Sequence, residues 1–200
     1  MDFPKKVVLF DFDGTLTSKD TLFVFTRQTV GIFRFLTGMV ILFLPMALQK
    51  TGLLSAHKAK EFFLSFFFKN QRLSVFTESC DRFAKEVLPS IIRKGALEAL
   101  RDYQNQSYRI IIVSASAENW IIPWANTMGI EVIASQLEIK EELLTGRLAG
   151  ENCNGKEKVN RIRKLLNISE YEEIVAYGDS AGDQPMFELA HRHFYKPFRT

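Results

Sequence analysis

The chain has 200 residues, 46% of them hydrophobic, enough to bury one substantial core with a small accessory domain beside it. Its formal charge is +3, and the Lys and Arg residues are spread along the chain rather than massed, so no nucleic-acid partner is expected. Cys80 and Cys153 form no CxxC pair and join no histidine cluster, which argues against zinc and reads as reduced thiols in a cytoplasmic protein.

Met1 to Lys6 carries charges and a proline and lacks the long apolar run of a secretion signal. Val7 to Phe10 then reads as a fully buried strand ending in a polar loop. From Asp20 to Glu86 no strand is predicted. Apolar residues recur there at helical spacing, as in Leu22, Phe25, Thr29 and Ile32 and again in Phe62, Phe66 and Val75.

Inside that block Phe35 to Gln49 carries no charge, which is short of the roughly twenty residues a membrane span needs, and Pro45 interrupts it. A buried or interfacial helix is expected, with peripheral membrane contact as the other reading. Phe33, Phe35, Phe43, Phe62, Phe66 and their neighbours load the block with aromatics, most of which core packing should absorb.

Downstream, Gly95–Tyr103 and Ala117–Met128 read as helices, and Arg109–Val113 and Glu131–Ala134 as strands. Leu137–Leu148 reads as a hairpin turning at Thr145-Gly146. Gly155–Leu166 and Pro185–Ala190 are predicted helices, and Glu173–Tyr177 and Arg192–Tyr195 strands. The alternation predicts an α/β fold, a Rossmann-like parallel sheet with helices on both faces. In such a sheet ligands sit beyond the carboxyl ends of the strands.

Three polar clusters follow predicted strands: Asp11-Phe12-Asp13-Gly14-Thr15, Ser114-Ala115-Ser116 and Gly178-Asp179-Ser180-Ala181-Gly182-Asp183. Parallel strands bring all three to one edge, where Asp11, Asp13, Asp179 and Asp183 would repel one another without a cation. Hard oxygen ligands with room for water and phosphate suit Mg²⁺. A carboxylate that forms an acyl-phosphate divides ester hydrolysis into two easier transfers, and a second carboxyl protonates the leaving group and then activates water. Asp11 is the expected nucleophile and Asp13 the acid and base. Ser114, a lysine and loop amides are available for the charge on the transferring phosphoryl group.

These clusters, DFDGT, the strand ending in Ser114, a downstream lysine and GDSAGD, resemble the four motifs of the haloacid dehalogenase-like hydrolases. The resemblance implies that residues 1–17 and 87–200 form the catalytic core. It implies that 18–86 is an inserted helical cap of the C1 type, as in the subgroup that includes phosphoserine phosphatases. It further implies Mg²⁺ held by Asp11, the carbonyl of Asp13 and Asp179, with Asp183 supporting the metal's waters or the lysine. Ser114 and that lysine would bind phosphate; Lys158 is preferred on the C-x-G-x-x-K-V spelling, with Lys156 as the alternative. Asp20 matches an acid that receives the substrate ammonium in phosphoserine phosphatases, and it equally suits a helix cap.

Gly14 follows Asp13 where those phosphatases often have Ser or Thr, and no cap arginine for a substrate carboxylate is evident, so phosphoserine is not the expected substrate. The apolar cap segment, I-A-S-Q before the hairpin and C-N-G-K-E-K-V after it are similar to bacterial phosphatidylglycerophosphatases of the C type, which brings a lipid-linked phosphate into view beside a small soluble one. The alternatives are a phosphotransferase of the same fold and a catalytically silent membrane-surface protein. His57, His191 and His193 lie in none of the strand-end clusters and receive no role.

Overall fold

The computed structural model describes residues 5–199. β1 (Lys6–Phe10) is buried on both faces after its first residue, with Val8 and Phe10 in one apolar cluster and Val7 and Leu9 in another. That alternation belongs to a central strand covered on both sides. A wide turn over Phe12–Leu16 follows, and then α1 (Thr21–Val30), capped by Asp20, whose Oδ1 accepts from Leu22 N–H at 2.9 Å.

Gly31, at φ +81°, ends α1, and α2 (Ile32–Ile41) starts directly after it. The apolar spacing from Leu22 to Ile32 therefore crosses a break instead of marking one helix. α3 (Phe43–Lys50) is bent 56° from α2. α4 (Ala56–Phe68) and α5 (Leu73–Glu86) complete the helical stretch, so Phe62 and Phe66 share a helix and Val75 lies on the next. Then come α6 (Leu88–Ile91) and α7 (Lys94–Asn105).

β2 (Arg109–Ala117) runs past Ser114, because a register irregularity against β3 lies between Ser114 and Ala117. α8 (Glu118–Thr127) and β3 (Glu131–Ser135) follow. β4 (Leu137–Lys140) and β5 (Leu143–Leu148) form an antiparallel hairpin. Its turn is at Glu141-Glu142, both at positive φ, rather than at the predicted Thr145-Gly146. Gly146 is needed for another reason: a Cβ there would lie 2.4 Å from Ser65 Cα of α4. The chain closes with α9 (Lys156–Leu165), β6 (Glu173–Gly178), α10 (Gln184–Phe187) and β7 (Arg192–Tyr195).

The sheet order is β3-β2-β1-β6-β7, and every pairing in it is parallel. This is the expected α/β sheet. Phe10 is level with Ile112 and Tyr177, so the segments leaving β1, β2 and β6 emerge side by side. On one face α9 and α10 cover Leu9, Ile111 and Ala176. On the other a continuous apolar cluster runs from Phe10 and Ile112 into α1, α4 and α5. There Phe25 stacks on Trp120 with ring centroids 4.8 Å apart. Rings in this offset contact add about 1 kcal/mol to simple burial.

Candidate active site

Asp11 leaves the end of β1 with its N–H donating to Tyr177 O at 2.8 Å, which carries the sheet pattern one residue further. The residue is 7% exposed. Oδ1 accepts from Lys158 Nζ at 2.6 Å and Oδ2 from Thr15 Oγ1 at 3.1 Å. Burial pushes its carboxyl up to about 7, against the opposing pull of Lys158, with Asp183 and Asp13 adding to the rise.

Lys158 lies on the first turn of α9 and is 1% exposed. Besides Asp11 it donates to Asp183 Oδ1 at 2.6 Å and Val113 O at 2.8 Å, so its three protons are all placed. Burial alone would lower its pKa, but the two carboxylates outweigh that and raise it. Burial likewise disfavours the charge on Asp183. Lys158 and the N–H groups of Ser180 and Asp179 prevail, holding that carboxyl below the usual range. Lys156, the alternative lysine, is exposed and does not line the pocket.

Asp13 points elsewhere than Asp11. Its Oδ1 accepts from Thr21 N–H at 2.6 Å and its Oδ2 from Ser116 Oγ at 2.5 Å. The irregular end of β2 makes the second contact: one serine, Ser114, is fully buried and accepts from Ser116 N–H at 3.0 Å, while Ser116 reaches the pocket. Thr21 Oγ1 ties this corner to Trp120, accepting from Nε1 at 3.1 Å.

Asp179, half-buried, pairs with Arg199, and burial raises its carboxyl despite that partner. One carboxylate oxygen each from Asp11, Asp179 and Asp183 lies within 4.8 Å of the others. Gly14, at φ +80°, passes so close to Asp179 that a Cβ would sit 2.3 Å from Oδ2.

These groups line a cavity of about 480 Å³ together with Asp20, Leu22, Lys60, Arg93 and Asn154. Asp11, Asp13, Asp20, Lys158 and Asp179 all face it. Ser114 and Asp183 stand behind that lining. Lys60 was not predicted. It reaches from α4 to donate to Ala115 O at 2.6 Å and Asn152 Oδ1 at 2.7 Å, and burial lowers its pKa to about 8 against the pull of Asp13 and Asp20. The available signal was a lysine on a helix with few charges, which reads equally as a solvated face.

The family model for haloacid dehalogenase-like hydrolases matches residues 8–188. Protein CicA of Caulobacter vibrioides is 30% identical over 201 residues, covering 96% of this chain and 86% of that one. The chain belongs to the haloacid dehalogenase-like hydrolases. A phosphoserine phosphatase of Methanocaldococcus jannaschii is 26% identical, covering 95% of this chain and 84% of the relative. A solved structure of a phosphoserine phosphatase as a phospho-aspartyl intermediate analogue superposes with a TM-score of 0.69 at 23% identity, covering 95% and 85% of the two chains. Within the family, the chain falls in the phosphoserine phosphatase-like branch.

Proposed function

We propose that this phosphatase is a Mg²⁺-dependent phosphomonoesterase acting on a small phosphate ester through an aspartyl-phosphate on Asp11. The observation that carries the reading is the division of labour between two carboxylates facing one cavity. Asp11 is buried against a lysine, while Asp13 is held by a hydroxyl and a backbone N–H.

In the first transfer an Asp11 carboxylate oxygen attacks phosphorus and the ester P–O bond breaks. The Asp13 carboxyl gives its proton to the departing alkoxide. In the second, Asp13, now a carboxylate, takes a proton from water as that water's oxygen attacks phosphorus. The bond to Asp11 breaks, and inorganic phosphate and the Asp11 carboxylate are released. Lys158 fixes the orientation of Asp11 throughout, and Ser116 and Thr21 hold Asp13.

The residues fit a hard divalent cation. Three carboxylates converge, Lys158 and Arg199 leave the set of four aspartates negative, and Gly14 opens a cradle that a Cβ would fill. Asp11, the carbonyl of Asp13 and Asp179 would hold Mg²⁺, with Asp183 in support. It would supply positive charge to the phosphoryl oxygens.

Substrate choice falls to Asp20 and Lys60, opposite charges on the same cavity wall set. Lys60 suits a second anionic group on the substrate. Residues 18–86 act as the cap in this reading, since α1 and α4 bring Leu22 and Lys60 to the cavity. The exposed apolar helices α2 and α3 favour a lipid-linked ester as the second reading.

The test is Mg²⁺-dependent phosphate release across soluble esters, phosphoserine included, and phosphatidylglycerophosphate, beside Asp11→Asn. Trapping of phosphate on the wild-type protein but not on the variant is expected. Near-normal turnover by Asp11→Asn would falsify the covalent route.

A further inference from the structure

We propose that α2 and α3 form a shallow docking surface for an anionic phospholipid bilayer. α2 buries only Gly38, where a Cβ would collide with Phe67 of α4, and α3 buries no residue. Phe33, Val40, Phe43 and Leu53 are 85%, 77%, 71% and 78% exposed, and Leu36 and Leu44 join them. Phe33, Leu36 and Val40 fall at spacings of three and four, so they make one stripe along α2, and Phe43 and Leu44 carry exposed apolar side chains on into α3. Exposed apolar residues are ordinary singly; gathered in this way they mark a contact surface.

The occupant is chosen by charge. From Thr21 to Lys60 the chain holds no Asp or Glu, while Arg27, Arg34, Lys50 and Lys58 of the same run are exposed. Among the described residues none of these four forms an ion pair. A second copy meeting this face would set the same cations against one another, with no Asp or Glu between Thr21 and Lys60 to answer them. An anionic headgroup layer answers them all, and acyl chains take the apolar side chains.

Depth follows from length. No single helix is long and apolar enough to cross a bilayer, and the pair is bent by 56°. The ten residues of α2 span about 15 Å, half of a bilayer's hydrocarbon core. The two helices therefore lie in the interface rather than spanning it.

Flotation of the full chain decides the matter, with vesicles of phosphatidylcholine alone and of phosphatidylcholine and phosphatidylglycerol in equal parts. Binding to the mixed vesicles is expected, weaker by about tenfold or more on the neutral ones and reduced by salt. Phe33→Ser/Val40→Ser/Phe43→Ser should lose binding by about tenfold or more while melting at the wild-type temperature, since all three side chains are exposed. Lys50→Gln and Lys58→Gln should each weaken it roughly fivefold. No flotation, equal flotation on both vesicles, or wild-type flotation by the triple variant overturns the proposal. So does a dimer in sedimentation velocity that the triple variant abolishes while lipid has no effect. None of these readouts depends on turnover, so they stand apart from the phosphatase reading.

Discussion

Gly14 and Asp179 approach so closely that the glycine's missing side chain is part of the site: a Cβ on Gly14 would lie 2.3 Å from Asp179 Oδ2. Its φ of +80° adds strain for any other residue, on the order of 1 kcal/mol or more. Gly14→Ala should therefore displace Asp179, raise the Mg²⁺ concentration needed for half-maximal activity and lower turnover. A Mg²⁺ titration of phosphate release measures it. An unchanged Mg²⁺ requirement would show that Asp179 can move aside without consequence.

Lys158 is the only lysine held between two carboxylates at 2.6 Å among the described residues. Lys158→Met removes the cation and leaves Asp11 and Asp183 buried together. Breaking one side of a buried pair costs about 3–5 kcal/mol. We expect that loss in urea unfolding near neutral pH, along with loss of activity. It should shrink towards acid pH, where Asp11 can take up a proton. A loss that stays constant with pH would mean that Lys158 matters only for packing.

Asp11 has its carboxyl raised by burial from 3.8 to about 7. A group raised in the folded state contributes stability in full below its unfolded value, and that contribution fades as pH rises through the folded value. Without Mg²⁺, Asp11→Asn should thus gain in melting temperature relative to wild type between about pH 4 and pH 7. Activity needs the carboxylate, so wild type should show an acid limb, and added Mg²⁺ should move that limb to lower pH because a nearby cation favours ionisation. A limb indifferent to Mg²⁺ would place the ion away from Asp11.

Lys60 carries a pKa lowered to about 8 by burial, so its charge fades just above neutrality. If it receives an anionic group of the substrate, KM for such esters should climb above about pH 8 while kcat holds. Lys60→Met should raise KM roughly tenfold at neutral pH with little change in kcat, the pattern of lost uniform binding. Esters without a second anionic group serve as the control, and an equal rise in KM for them would count against the assignment.

The central strand was legible because Val7 to Phe10 is apolar at every position, as burial on two faces requires. The strand-end clusters were legible because parallel topology brings successive strand ends to one edge whatever lies between them. Lys60 was not, since a lysine set between Lys58 and Glu61 on a helix carries no mark of which way it faces. Nor was the route of Ser116 to Asp13, which depends on a register irregularity that two strands make only when paired. The break at Gly31 escaped notice because the apolar spacing continues through it, although the glycine itself was a stop signal.

Gly146 shows how a correct residue can point to the wrong feature. Thr145-Gly146 has turn chemistry, yet the hairpin turns at Glu141-Glu142, where two non-glycine residues adopt φ of +48° and +60°. The glycine is instead where β5 presses on α4: Ser65 Oγ donates to Gly146 O at 3.0 Å, and a Cβ would stand 2.4 Å from Ser65 Cα. Because the obstacle is backbone, it cannot rotate away. Gly146→Ala should therefore cost about 1–3 kcal/mol or more, from strain at φ +80° and from separating strand and helix. Since α4 also carries Lys60, the same substitution should raise KM for doubly anionic esters more than it lowers kcat. Glu142→Gly, which relieves positive φ in the true turn, should be neutral or stabilising by a few tenths of a kcal/mol. Urea unfolding of both variants checks the pair, and a destabilised Glu142→Gly with a silent Gly146→Ala would return the turn to Thr145-Gly146.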